Sequence, residues 1–170
     1  PFGEDGTIQG FLEMADVPFV GAGVLGSSIG MDKEFAKILF RSRGLPTAKY
    51  KAVLDWEWKD KKASLLDEIA NNFDLPFFVK PANMGSSVGI TKVKNNRAVE
   101  TAIANAFHYD RKILVEEAII GREFECSVLG NEHPEASVPG EIIPFREFYD
   151  YRDKYIEGKT GFEIPAKLPE

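Results

Sequence analysis

The segment 75–93 restricts the fold of this chain more than any other stretch. Its apolar run Phe77-Phe78-Val79 is typical of a buried strand, and Pro81 ends that strand because proline cannot donate a ladder hydrogen bond. Small residues follow, and Ile90-Thr91-Lys92-Val93 predicts a returning strand. The sequence therefore predicts a β-hairpin whose connecting loop is poor in bulky side chains.

The connecting loop has the composition of an anion-binding segment. It contains Gly85-Ser86-Ser87-Val88-Gly89, whose backbone N–H groups and two hydroxyls can approach an anion closely, and Lys80 adds a positive charge beside it. It is not a Walker loop, because no Gly-Lys-Ser/Thr closes it and a strand follows instead of a helix. A glycine-rich turn without a ligand is the alternative interpretation.

A second lysine is predicted at the start of a helix. Met31-Asp32-Lys33 begins a segment with helical spacing of its apolar residues. Lys33 therefore lies where backbone N–H groups favour an anion, and we expect it to converge with Lys80 on the same phosphates. A solvated side chain is the alternative for either lysine alone. The apolar residues that this helix is expected to bury are Phe35, Ile38 and Leu39.

The remaining segments switch between the periods of helix and strand, which predicts a mixed α/β fold. Strands are predicted over 17–20, 49–54, 113–117 and 123–129, and helices after Asp5, after a capping box that starts at Ser64, and over 98–106. The helix after Ser64 is expected to turn Leu66, Ile69, Ala70 and Phe73 inward. Cys126 shares its parity with Phe124, so a buried, inert thiol is expected. No regular element is predicted after Phe145.

Composition restricts the class of protein. The 170 residues are 44% apolar and 28% charged, as in a soluble globular protein. A net charge of -6 argues against nucleic acid or an anionic membrane as the main partner. No run is apolar and long enough to span a bilayer. Because the chain begins at Pro1 instead of a methionine, we expect it to be a segment of a longer protein.

Two further motifs bear on a nucleotide site. The run from Gly21 to Gly26 has the spacing G-x-G-x-x-G, but no acidic residue follows about 20 positions later, so we interpret it as a turn. The segment 115–125 contains four carboxylates on two predicted strands. The backbone after Glu117 could bind a purine and Glu123 could accept ribose hydroxyls, although a solvated sheet face is the alternative.

Taken together, these segments resemble the D-alanine–D-alanine ligase family of the ATP-grasp superfamily. The Gly-Ser-Ser-Val-Gly loop and the Tyr-Asp-Tyr segment together are the strongest part of the resemblance. The matching segments are Gly3-Glu4-Asp5-Gly6-Thr7-Ile8-Gln9-Gly10, Val17-Pro18-Phe19-Val20-Gly21, Met31-Asp32-Lys33, Val79-Lys80-Pro81, Gly85-Ser86-Ser87-Val88-Gly89, Phe148-Tyr149-Asp150-Tyr151 and Lys154-Tyr155.

The resemblance implies an ATP-grasp fold of class α/β (α+β). Residues 1–30 would close an N-terminal domain, residues 31–115 would form the central nucleotide-gripping domain, and residues 116–170 would begin a C-terminal domain with a mobile active-site loop. The implied reaction is the ATP-dependent ligation of two D-alanine molecules through an acyl phosphate, for peptidoglycan precursors. Such chemistry depends on positioning and on neutralising the charge of the phosphoryl group.

The resemblance also implies roles for individual residues. Lys33 and Lys80 match lysines on the ATP phosphates. Gly85, Ser86 and Ser87 match the loop that covers the phosphates. The adenine hinge is matched by Glu116, Glu117, Ala118 and Ile119, and the ribose-binding glutamate by Glu123. The catalytic residues are matched by Ser86, Lys154, which reaches the terminal phosphate, and Tyr155, which hydrogen-bonds Ser86.

The implied cofactors are ATP and magnesium, with the metal ligands expected after Glu170 and none in this segment. Because magnesium bridges the phosphates in the implied reaction and its ligands would be missing, the segment alone is expected to be inactive. The expected partners are D-alanine and ATP, with a possible homodimer, in the bacterial cytoplasm. Three alternatives stay open: a D-alanine–D-hydroxy-acid or other carboxylate–amine ligase, a non-catalytic ATP-binding module, and a purely structural piece.

Overall fold

The structure, a computed structural model, describes residues 1–168. Contacts divide the chain after Ala118 into two units, which are described separately. The helices of the first unit are α1 (Thr7–Met14), α2 (Val24–Met31), α3 (Lys33–Ser42), α4 (Asp55–Asn72) and α5 (Val99–Phe107), with a 3₁₀ turn at Asn96–Ala98. Its strands are β1 (Tyr50–Leu54), β2 (Phe77–Pro81), β3 (Thr91–Val93) and β4 (Lys112–Glu117).

The four strands of the first unit form one antiparallel sheet in the order β1–β4–β2–β3. Strand β2 pairs with β3 from Phe77 opposite Val93 to Val79 opposite Thr91, which confirms the predicted hairpin. Along β2 the odd-numbered side chains are buried and Lys80 is half-buried. Because side chains alternate between the faces of a strand, Lys80 lies on the face opposite the core.

Helices α4 and α5 contribute to the core on the other face of this sheet. Val79, Ile103, Ile113 and Val115 have no exposed surface, and Phe77 and Ile69 are 1% exposed. Burial of each such side chain contributes about 1.5–3 kcal/mol. The mixed α/β prediction is confirmed, and this core holds the strands that end at the candidate site.

Helix α4 begins earlier than predicted. The carboxylate of Glu57 accepts a hydrogen bond from the backbone N–H of Leu54 at 3.0 Å, so the first turn forms at Asp55. Lys61, with φ −125° and ψ 28°, kinks α4, and the predicted start at Ser64 is wrong because Ser64 lies within the helical segment that follows the kink. The inward positions are partly confirmed, since Ile69 and Phe73 are buried and Leu66 is half-buried. Ala70 is exposed and Leu65 is buried in its place.

Helix α3 begins where predicted, because the Asp32 carboxylate accepts from the backbone N–H groups of Glu34 and Phe35. The expected burial of its apolar residues is wrong: Phe35, Ile38 and Leu39 are 54%, 46% and 45% exposed. The physical reason is that α3 turns a different face toward the sheet. On that face Lys33 donates to the Ala82 carbonyl oxygen, and Lys37 forms an ion pair with Glu116. The strand predicted over 17–20 is also wrong, since those residues form no ladder.

The second unit begins at Ile119 and contains two small sheets. Its strands are β5 (Glu123–Glu125), β6 (Val128–Leu129), β7 (Glu135–Ala136), β8 (Gly140–Ile143) and β9 (Gly161–Glu163). The first sheet has the order β5–β8–β9, and β6 pairs with β7 in the second. A π-helical turn spans Asp153–Glu157. Within residues 1–168, no helix is both long and apolar enough to cross a membrane.

Three predictions for the second unit are wrong. The single strand over 123–129 is divided at Cys126 and Ser127, and the Cys126 thiol is exposed, where it lies 3.1 Å from the Ser137 carbonyl oxygen. Cys126 is not buried because no other layer of the described chain covers this segment, and every residue over 121–130 is exposed. The alternation of side chains along the strand therefore cannot indicate an interior face. After Phe145 the chain is not irregular throughout, since it forms the π-helical turn and β9.

Candidate functional site

The loop between β2 and β3, residues 82–90, is called the serine loop below. Ser86 and Ser87 have φ angles of 53° and 58°, in the left-handed region that side chains rarely adopt. Successive residues in tight turns direct their N–H groups to one concave side, which is the geometry that binds anions. Such conformations cost about 1–3 kcal/mol each and persist only where the surroundings enforce them.

Packing around the serine loop supplies that enforcement. Gly89 has a φ of 72°, and a Cβ placed there would lie 2.6 Å from Tyr109 Cδ2 and 2.8 Å from Pro81 Cγ. At the other end, Asn83 donates to Asp110 Oδ2 through its backbone N–H at 2.7 Å and its side-chain amide at 3.0 Å. Sequence analysis did not identify Asp110, which follows no recognisable motif.

Lys33 joins the first turn of α3 to the serine loop. Its ammonium donates to the carbonyl oxygens of Met84 at 2.6 Å and Ala82 at 3.2 Å, and its backbone N–H also donates to Ala82. Burial and then the charge of Lys80 lower the pKa of Lys33 from 10.5 to about 8, although Asp110 and Glu116 oppose this. Because Ala82 lies two residues after Lys80, these hydrogen bonds place Lys33 at the end of β2 that carries Lys80.

Lys80 is held by Glu116 of β4. The Lys80 ammonium forms an ion pair with Glu116 Oε1, while Glu116 Oε2 lies 2.6 Å from the ammonium of Lys37. Burial raises the pKa of the Glu116 carboxyl, but the two ammonium groups lower it by more than burial raises it. The pKa of Glu116 is therefore below its ordinary value. Sequence analysis did not identify Lys37. Its position four residues after Lys33, on the same helix face, was the available signal.

A second ion cluster fixes the start of α3. The Lys112 ammonium lies 2.7 Å from Asp32 Oδ2 and 2.8 Å from Glu34 Oε2. Burial lowers the pKa of Lys112, but hydrogen bonds to the two carboxylates raise it by more than burial lowers it. The pKa of Lys112 is therefore above its ordinary value. This cluster connects the first turn of α3 to the first residue of β4, and it thereby supports the position of Lys33.

The residues predicted to bind adenine, 116–119, span the end of β4 and the start of the second unit. Glu117 is exposed, and its carboxylate accepts from the backbone N–H of Lys49 at 2.6 Å. Ala118 is half-buried and is the last residue of the first unit. Ile119 is 70% exposed and begins the second unit. In the first unit the structure therefore brings together Lys33, Lys80, Glu116 and the serine loop.

In the second unit the predicted residues Glu123 and Lys154 lie near each other. Although Glu123 is exposed, partial loss of hydration beside neighbouring atoms raises its pKa, and the charge of Lys154 opposes that rise. The Lys154 ammonium lies 4.6 Å from the ring centroid of Tyr149, at the distance of a cation–π contact. Tyr155 is 62% exposed, and its ring centroid lies 5.0 Å from that of Tyr151.

Asp153 organises the segment that carries Lys154 and Tyr155. Its carboxylate is almost fully buried and accepts from the backbone N–H groups of Phe145 at 3.0 Å and Arg146 at 3.3 Å. The Thr160 hydroxyl donates to the same carboxylate at 2.8 Å. Sequence analysis missed Asp153, because an aspartate in a charged segment gives no signal of burial. Among residues 1–168, no three His, Cys, Asp or Glu side chains converge as metal ligands would.

Comparison with known proteins identifies the family. A family model described as D-ala D-ala ligase C-terminus matches residues 39–170. A D-alanine--D-alanine ligase of Geobacillus thermodenitrificans is 54% identical over 170 residues, which are 100% of this chain and 47% of that protein. A D-alanine--D-alanine ligase of Bacillus velezensis is also 54% identical, over 100% of this chain and 48% of that protein. The chain thus spans about half the length of these curated relatives.

Solved structures agree with this assignment. The VanG D-Ala:D-Ser ligase from Enterococcus faecalis is 36% identical and superposes with a TM-score of 0.85 over 98% of this chain and 48% of that one. The D-alanine-D-alanine ligase from Coxiella burnetii is 37% identical, with a TM-score of 0.75 over 82% of this chain and 41% of that one. The fold is therefore the ATP-grasp fold. The chain belongs to the D-alanine–D-alanine ligase family.

Proposed function

We propose that this chain is the nucleotide-gripping part of a ligase that joins two D-alanine molecules with ATP and magnesium, for peptidoglycan precursors in the bacterial cytoplasm. Membership of the family and the 54% identity to D-alanine--D-alanine ligases support the reaction. The observation that carries the nucleotide site is the convergence of Lys33, Lys80 and the strained serine loop. ATP would supply the phosphoryl group that activates one D-alanine carboxylate.

The residues of the first unit fit a triphosphate. Left-handed Ser86 and Ser87 form a concave turn lined by backbone amides, and two ammonium groups near the loop offset the phosphate charge. We propose that Lys33 and Lys80 bind phosphates, that Gly85, Ser86 and Ser87 cover them, and that the backbone of 116–119 binds the purine. The division of the chain into domains 1–30, 31–115 and 116–170 belongs to the same proposal.

The second unit would supply the remaining groups. We propose that Glu123 accepts the ribose hydroxyls, that Lys154 neutralises the terminal phosphate, and that Tyr155 hydrogen-bonds Ser86 when the segment closes over the substrates. Closure would exclude water, which otherwise hydrolyses the acyl phosphate. The described residues show no group suited to magnesium, so no step is assigned to the metal here. The homodimer stays a prediction.

Isothermal titration with a non-hydrolysable ATP analogue tests the nucleotide site. The chain should bind the analogue, and Lys80→Ala should weaken binding by about a hundredfold, since a charge-assisted contact to phosphate contributes about 1.5–3 kcal/mol. Lys62→Ala is the matched control, because Lys62 pairs with Glu100 between α4 and α5. Equal affinity of the Lys80→Ala variant and the unsubstituted chain would contradict the proposal.

A product assay tests the acceptor. The similarity to a D-Ala:D-Ser ligase makes a different second substrate the second candidate, although the curated relatives that act on D-alanine are more similar in sequence. A protein of the relatives' full length that contains this chain should form D-alanyl-D-alanine faster than D-alanyl-D-serine or D-alanyl-D-lactate. Preference for either other acceptor would replace the D-alanine assignment and leave the nucleotide site intact. Nucleotide binding without any product would favour a non-catalytic module.

A further inference from the structure

The carboxylate of Glu116 is divided between two lysines. One oxygen pairs with Lys80 and the other lies 2.6 Å from Lys37. These three residues are called the Glu116 triad. Their side chains are only 15%, 11% and 16% exposed for Lys37, Glu116 and Lys80, so water screens the charges weakly.

The geometry of α3 and the sheet explains why the triad forms. Glu116 lies opposite Phe78 in the pairing of β2 with β4, so Lys80 is its diagonal neighbour. Lys37 comes from α3, one turn after Lys33, and its ammonium also lies 5.6 Å from the Tyr50 ring centroid. The carboxylate therefore cannot rotate without breaking an ion pair with one of two separate elements.

We propose that Lys37 is a positioning residue for the nucleotide: by holding one oxygen of Glu116, it leaves Lys80 with a single carboxylate oxygen and available to phosphate. This inference rests on the proposed nucleotide site. Without Lys37, both oxygens of Glu116 can turn to Lys80. Glu116 would then compete with phosphate for the Lys80 ammonium. Since Lys37 acts through Glu116, it need not touch the nucleotide.

A double-mutant cycle on analogue affinity tests this inference. Lys37→Met should weaken binding of the ATP analogue by about tenfold, within the usual coupling of contacting charges. In a Glu116→Gln background, Lys37→Met should have little further effect, because the group through which it acts is neutral. Lys37→Arg should restore most of the affinity. The control Lys62→Met removes a lysine from an ion pair on the α4–α5 side and should leave affinity unchanged.

Two outcomes would overturn the inference. Unchanged affinity of Lys37→Met, with normal binding by the unsubstituted chain, would show that Lys37 does not position the site. Additive losses in the double variant would show that Lys37 contacts the nucleotide directly. A thermal unfolding curve on each variant, together with the arginine variant, separates these results from a folding defect.

A titration without nucleotide keeps this test independent of the proposed function. Carbon-13 NMR of the Glu116 carboxyl should show its lowered pKa rising toward the ordinary value in Lys37→Met and falling again in Lys37→Arg. If the chain binds no nucleotide and Glu116 still responds in this way, the proposed function fails while the triad is confirmed. If Glu116 does not respond to Lys37, the triad itself is wrong.

Discussion

The two units hold their candidate residues by different means. In the first unit, Lys80 and Glu116 follow directly after Val79 and Val115, two strand residues with no exposed surface. Within the described part of the second unit, Ile142 is the only buried apolar side chain, and all of β5 is exposed. The residue before Lys154 in the chain, Asp153, is buried and carries a carboxylate.

The two kinds of support imply different rigidity. A hydrophobic core between a sheet and two helices opens only with the unfolding of the whole unit, whereas a polar cluster on a sparse core can open locally. The serine loop is attached to strands of the hydrophobic core, whereas the segment that carries Lys154 and Tyr155 is held by a polar cluster. This difference supports the proposal of a rigid phosphate-binding loop and a mobile segment that carries Lys154 and Tyr155.

Two glycines with positive φ angles, one in each unit, should differ most in the cost of substitution. Gly89→Ala in the serine loop should destabilise the chain by about 3 kcal/mol, because backbone strain is joined by overlap with Tyr109 and Pro81. Gly158→Ala should cost only about 1 kcal/mol, since its φ is 60° and nothing lies near the added Cβ. Urea unfolding of both variants gives the two values. Equal losses would show that the first unit is not the more tightly packed.

Removing the Asp153 carboxylate should loosen the second unit alone. Asp153→Ala leaves two backbone N–H groups and the Thr160 hydroxyl without their acceptor, at a cost of about 2 kcal/mol. Hydrogen exchange should accelerate at Phe145 and Arg146 and stay unchanged in β2. Glu132→Ala, at an exposed carboxylate of the same unit, is the control. Faster exchange throughout β2 would mean that the two units do not open separately.

A change of pH tests Lys33 in the first unit without any substitution, through the affinity for nucleotide. The pKa of Lys33 is lowered from 10.5 to about 8, so its ammonium loses its proton as the pH rises through about 8. Affinity for the ATP analogue should then fall, by up to about tenfold per pH unit. Lys33→Arg should remove the fall, because arginine keeps its charge.

The same shift affects stability in the opposite direction. Since the folded chain binds the Lys33 proton less tightly than the unfolded chain, this group adds stability as the pH rises from about 8 toward 10.5. Comparing urea unfolding of the chain with that of Lys33→Met isolates the contribution. A pH-independent affinity across this range would contradict the buried position of Lys33.

Much of the first unit follows from sequence alone. The hairpin of β2 and β3, helix α5 and the start of α3 near Asp32 are local patterns, and each was predicted from residues close together in the chain. The candidate residues Lys33 and Lys80 were named the same way. By contrast, parity failed at Cys126, because alternation predicts burial only where another layer covers the strand.

The hairpin, its glycine and serine loop, and membership of the family follow from the amino-acid sequence alone. Three features are visible only in the folded chain: Lys37 and Lys80 share Glu116, Lys112 fixes the start of α3, and Asp153 is buried. The physical reason is the separation along the chain between the residues that interact. A turn or a cap is set by neighbouring residues, whereas an ion pair or a buried carboxylate needs partners that only the folded chain brings into contact.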